Sequence, residues 1–106
     1  MVQELEYVNV NGRTALVLPC RMGQILWYIR DGKVCSAKVY EMKYTAADSG
    51  HCCEDFVVFA WNSRTAQTLT WCPIHGEGWL DKKDSYVPVF CSREEAEAAV
   101  KEEEDG

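Results

Sequence analysis

Two runs dense in β-branched and aromatic residues, Gln24 to Arg30 and Lys33 to Lys43, are separated only by Asp31-Gly32. That dipeptide favours the positive φ angles of a two-residue turn whose twist matches the strands on either side. The spacing predicts an antiparallel hairpin and commits the chain to a β architecture. Asn11-Gly12, between Glu6 to Val10 and Thr14 to Leu18, predicts a second hairpin by the same logic. Ile25, Trp27 and Ile29 share one face, while Cys35, Ala37 and Val39 alternate with Ser36, Lys38 and Tyr40 on the returning strand. One face is therefore core and the other mixed.

Further along, Tyr44 to Glu54 is small, polar and glycine-containing and reads as a loop. Phe56 to Trp61 and Thr65 to Trp71 read as strands joined by a turn at Asn62-Ser63-Arg64. Cys72 to Ser85, with two glycines, a proline and five charges, reads as a long irregular connection. Tyr86 to Cys91 is a last strand, placed at an edge because Pro88 lacks an amide donor. Ser92-Arg-Glu-Glu95 is a capping box that starts a helix running to about Glu102, with Ala96, Ala99 and Val100 as its apolar stripe and Glu97 paired to Lys101. The stripe is too short to bury much, so the helix is expected over an open end of the sheet. At 106 residues the chain is one domain, 1–106, with strands over about 5–91, the helix over about 93–102 and an acidic tail at 102–106. The pattern is mainly β: a small antiparallel barrel or strongly bent sheet with one short C-terminal α-helix.

The net charge of −6 suggests an acidic body until its position is considered. From Arg93 onward seven acids face only Arg93 and Lys101, so all but about one unit of the charge belongs to the C-terminal segment. That disfavours a nucleic-acid mimic. Direct nucleic-acid binding is disfavoured as well: Trp27, Tyr28, Trp61, Trp71 and Trp79 could stack bases, but Arg21, Arg30, Lys33, Lys38 and Lys43 give only a mild basic excess. The N-terminus lacks the basic and apolar regions of a signal peptide, and no apolar run approaches membrane-spanning length. A cytoplasmic location in a bacterial host is the expectation, with no membrane partner. In that compartment the six cysteines read as thiols, and Cys20, Cys35 and Cys91, inside or beside apolar runs, read as core.

Two segments carry a resemblance. Leu18-Pro-Cys-Arg-Met-Gly-Gln-Ile-Leu-Trp-Tyr-Ile29 with its hairpin, and Val89-Phe-Cys-Ser-Arg-Glu-Glu-Ala-Glu-Ala-Ala-Val100, resemble a group of small proteins from prophages and mobile elements of gut Firmicutes. That group opens on Leu-Pro-Cys-Lys-x-Gly-Asp-Thr-Val-Tyr and ends on Val-Phe-Leu-Thr-Arg-Glu-Glu-Ala-Glu-Ala-Ala-Leu. The resemblance spans roughly 15–43 and 86–101; Gln24-Ile25 replaces the group's Asp-Thr, and Tyr44 to Ser85 lies outside it. It implies an SH3-like barrel closed by a short helix and no catalytic residues. It also implies a phage or mobile-element accessory protein that binds a host protein, with inhibition of a defence system such as a CRISPR nuclease as the specific form.

Three chemistries are readable from the residues. Cys72-Pro-Ile-His75 has the spacing of half a zinc site, and His51 with Cys53 could supply the other half, giving a zinc-stabilised small domain with a nucleic-acid role as the alternative reading. Against that, no Cys-x-x-Cys is present, and turn and core roles are the simpler reading. A nucleophile pair, Cys72 or Cys53 with His75 or His51, would need an orienting third group that no motif supplies. No phosphate-cradling loop or nucleophile elbow occurs, so a non-enzymatic binding module without a cofactor is the expectation. Trp79, in the glycine-flanked Gly76-Glu-Gly-Trp segment, leads the partner-binding candidates, with Glu77, Trp71 and Trp61 beside it.

Overall fold

Asn11 and Asp31 adopt φ of 51° and 53°, followed by Gly12 at 78° and Gly32 at 74°, so both tight turns form with left-handed backbone. They join β1 (Glu6–Val10) to β2 (Arg13–Val17) and β3 (Ile25–Arg30) to β4 (Lys33–Thr45). The structure, a computed structural model, describes residues 5–45, 55–81 and 85–105. The chain continues through β5 (Asp55–Asn62), β6 (Gln67–Cys72), β7 (Glu77–Leu80), β8 (Val89–Phe90) and α1 (Arg93–Asp105). β1 and β2 make a separate ribbon, and the other strands form one antiparallel sheet in the order β7-β6-β5-β4-β3-β8.

The protein is thus mainly β with one C-terminal helix, and its sheet is strongly bent. A register irregularity between Val39 and Glu41 sharpens the twist where β4 crosses β5. Residues 85–90 then connect the two edges. At one end Leu80 N–H donates to Ser85 O (3.0 Å) and Val87 N–H to Gly78 O (2.8 Å). At the other, Val89 and Phe90 pair with Tyr28 and Trp27 of β3. Pro88, without an amide to donate, occupies the crossing between these two sets of bonds.

Register and burial agree on which side chains face inward. Leu26 lies opposite Ala37, Val58 opposite Trp71, and Leu69 between Ala60 and Leu80, and all of these are buried. The core face of β3 is therefore Leu26 and Tyr28, while Ile25 and Trp27 lie on the outer face. Tyr28 brings a hydroxyl into the core, and Asn62 Nδ2 donates to it at 2.6 Å, so neither buried polar group lacks a partner. The β1–β2 ribbon joins the body through Leu16 against the core and the Tyr7 hydroxyl 3.2 Å from that of Tyr44.

α1 packs on β3, β4 and β8 through the fully buried Ala96. Its cap forms as expected, with Glu95 N–H donating to Ser92 Oγ at 3.2 Å. The helix runs on to Asp105, past the expected Glu102. Glu97 pairs with Arg93 (2.7 Å) rather than Lys101, because Arg93 is already held toward the body over the Trp27 ring. The larger difference is β7, which lies inside the stretch expected to be irregular. Its glycines broke the strand pattern, yet Gly78 is required there by the close passage of Val89.

Cys20, Cys35, Cys72 and Cys91 are free thiols, Cys20 and Cys72 buried and the other two partly so. No helix among the described residues is long and apolar enough to cross a membrane.

Candidate functional site: the aromatic outer face of the sheet

Alternation along the strands sends every second side chain outward, and the registers of four strands align these outward residues into rows. One row runs Glu41, Phe59, Thr70, Trp79 and Tyr86 across β4, β5, β6, β7 and the bridging segment. A second runs Lys38, Trp61 and Thr68. Phe59 and Trp61, two apart on β5, join the rows into one face. Tyr40, set at the β4 irregularity, has its ring 6.4 Å from that of Phe59, and Lys43 Nζ lies 5.4 Å from the Phe59 centroid. Trp79 meets Tyr86 edge-to-face at 6.4 Å.

The face is apolar and open to solvent. Tyr40 is 47%, Trp61 44% and Tyr86 59% exposed. Tyr40 is braced by Phe59 and Tyr86 by Trp79, so these rings would lose little side-chain freedom on meeting a partner. Charge enters through Lys38, Glu41 and Lys43, the last two 4.0 Å apart, and through Asp81, whose carboxylate accepts from Thr68 N–H at 3.0 Å.

The expected partner-binding residues divide. Trp61 stands exposed on this face, and Trp79 is half-buried within it. Trp71 does not belong to the face: it is fully buried, directed into the core beside Val58. The alternation of Thr68 and Thr70 with Leu69 and Trp71 carried that signal in the sequence. Glu77 lies on β7 opposite Cys72. Tyr40, Phe59 and Tyr86 were missed; Phe59 shares its strand parity with Trp61, which was the readable clue.

The proposed zinc half-site occupies a different place. Cys72 ends β6 with its side chain buried, Gly76 N–H donates to Cys72 O at 2.8 Å to close the turn, and His75 on that turn is exposed. β5 begins at Asp55, at the same end of the sheet, since Val58 lies opposite Trp71. His51 and Cys53 precede that point and lie outside the described residues. Among the described residues no group of three His, Cys, Asp or Glu side chains could hold a metal ion.

Cys20 and Cys91 are poorly suited to nucleophilic work. Burial pushes Cys20 up to about 11, with the nearby Cys91 adding to the shift, and its Sγ lies 3.8 Å from Met42 Sδ. Burial also raises Cys91, with help from Glu95. Both stay protonated at neutral pH. Comparison with known protein families, with curated proteins and with solved structures returns no match for this chain.

Proposed function

We propose that this protein is a non-enzymatic binding module that docks a host protein on the outer face of its sheet, as a phage or mobile-element accessory protein would. The observation that supports it most is the joined set of outward rings, Tyr40, Phe59, Trp61, Trp79 and Tyr86, on a rigid β framework. Exposed aromatic clusters of this kind are the usual anchors of protein interfaces. The specific form of the proposal is inhibition of a defence enzyme such as a CRISPR nuclease, a form that rests on the resemblance of the two terminal segments. The test compares wild type with Trp61→Ser/Tyr86→Ser for capture of one identified host protein and for inhibition of a purified nuclease. Truncating two central anchors is expected to weaken capture by about 2 kcal/mol or more, roughly 30-fold. Equal capture by both proteins would reject this face as the docking surface.

A second reading, a zinc-stabilised domain, draws on the start of β5 and the Cys72–Gly76 turn sharing one end of the sheet. His51, Cys53, Cys72 and His75 would be its ligands. One zinc per chain, together with a lower melting temperature in chelator, would establish it; no metal and an unchanged melt would remove it.

A further inference from the structure

Between the β5–β6 turn and the start of α1 lies a pocket of about 420 Å³. Trp27 and Ser36, cross-strand neighbours on the outer side of β3 and β4, form one wall. Arg64 and Thr65 close it from the turn, and Arg93 from the helix. A smaller pocket of about 230 Å³ shares Ser36, Asn62 and Arg64 with it and ends at Lys38 and Trp61. The combined lining holds three cations, Lys38, Arg64 and Arg93, and no acid. Most of the chain's net charge of −6 lies from Arg93 onward, so in a nearly neutral body this is a local excess of positive charge.

The turn backbone that carries Arg64 and the side chain of Arg93 are both held in place. Asn62 Oδ1 accepts from Arg64 N–H at 3.0 Å and from Thr65 N–H at 3.4 Å, while its amide donates to the buried Tyr28 hydroxyl. The turn carrying Arg64 is thereby fastened to the core. Arg93 is held with Cζ 5.8 Å from the Trp27 centroid and Nε 2.7 Å from Glu97 Oε1, a contact made by Nε. Neither Lys38 nor Arg64 has an ion-pair partner among the described residues.

We propose that this cleft binds a nucleoside phosphate, with phosphate oxygens on Arg64 and Arg93 and the base against Trp61 beside Lys38. Guanidinium groups match phosphate oxygens in a planar, paired geometry, and the hydroxyls of Ser36 and Thr65 add neutral donors. Trp27 is occupied by Arg93, whereas Trp61 keeps an open face on which a base can stack. The volume suits a mononucleotide or the end of a single strand. Trp61 and Lys38 are shared with the aromatic face, whereas Arg64 and Arg93 lie outside its rows, so the two arginines separate this proposal from the protein-docking reading.

The experiment is calorimetric titration of the full chain with AMP, with an oligothymidylate and with an oligoglutamate peptide as probes, at low and high salt. Saturable AMP binding is expected, weakened about ten-fold or more by Arg64→Gln and by Arg93→Gln, with melting temperatures changed little because both side chains are exposed and the Arg93–Glu97 pair lies at the surface. AMP and oligonucleotide binding with similar affinity supports a free nucleotide as the source. An oligonucleotide bound about ten-fold or more tightly, with a steep salt dependence, supports a strand. Absence of nucleotide binding up to about 5 mM, indifference to both arginine variants, or equal binding of oligoglutamate would overturn the proposal.

Discussion

Replacing Gly78 with alanine is expected to destabilise the protein by about 1–3 kcal/mol, the usual cost of overpacking a filled interior. The new Cβ would fall inside the contact radius of Val89 Cγ2, 3.2 Å from Val87 O and 3.6 Å from Thr70 O. Val89 is almost fully buried and β-branched, so its methyl has no alternative rotamer to swing into without losing packing. Val87 O has little freedom either, because the neighbouring Val87 N–H donates to Gly78 O at 2.8 Å. In the absence of a clash, Gly→Ala in a strand would stabilise by about 0.5–1 kcal/mol, so even a neutral result would reveal strain. The assay is urea unfolding followed by tryptophan fluorescence, with Val89→Ala and the double variant alongside. Val89→Ala alone is expected to cost about 1.6 kcal/mol for its two methyl groups, cavity aside. Because it removes the clashing atom, the double variant is expected to lose less than the sum of the singles by about 1 kcal/mol or more. A Gly78→Ala variant more stable than wild type, or strict additivity in the double, would refute the claim that the passage of Val89 over β7 dictates glycine there.

Three further outcomes follow from the structure. Trp71→Ala is expected to cost about 3–5 kcal/mol in unfolding experiments, whereas Trp61→Ala stays within about 0.5 kcal/mol, because only Trp71 leaves a cavity. Asn62→Ala, which strands the Tyr28 hydroxyl and releases two turn amides, is expected to cost about 2 kcal/mol in the same assay and to loosen the turn bearing Arg64. Cys20 ionises at about 11 in the folded protein against an ordinary 9.0; below pH 9 both states keep the proton and the stabilisation is complete. Between about 9 and 11 the unfolded chain loses it first, so stability falls as pH rises, and urea midpoints across that range are expected to fall less in Cys20→Ala.

The hairpins were legible because their instructions are local. Asn11-Gly12 and Asp31-Gly32 need no distant contact to adopt positive φ, and Ser92 caps α1 through an amide three residues away. Runs of β-branched and aromatic residues bounded by turn residues likewise separated strands from turns over most of the chain. What the chain alone determined was therefore its β class, its turns and its terminal helix.

Tertiary structure decided the rest, because strand registers and long-range contacts set it. Glycine at 78 reads as a break in the pattern until Val89, eleven positions later, is seen to fill the space a side chain would take. The alternation of Trp71 with Thr68 and Thr70 marks it as core within its own strand, whereas the alignment of Trp61 with outward residues of the neighbouring strands is set only by the registers. Arg64 and Arg93 are far apart in sequence and become neighbours through the fold: Asn62 ties one turn to the interior while α1 packs back on β3. Local propensities act within a few residues, whereas faces, clefts and charge clusters are properties of which strands lie side by side.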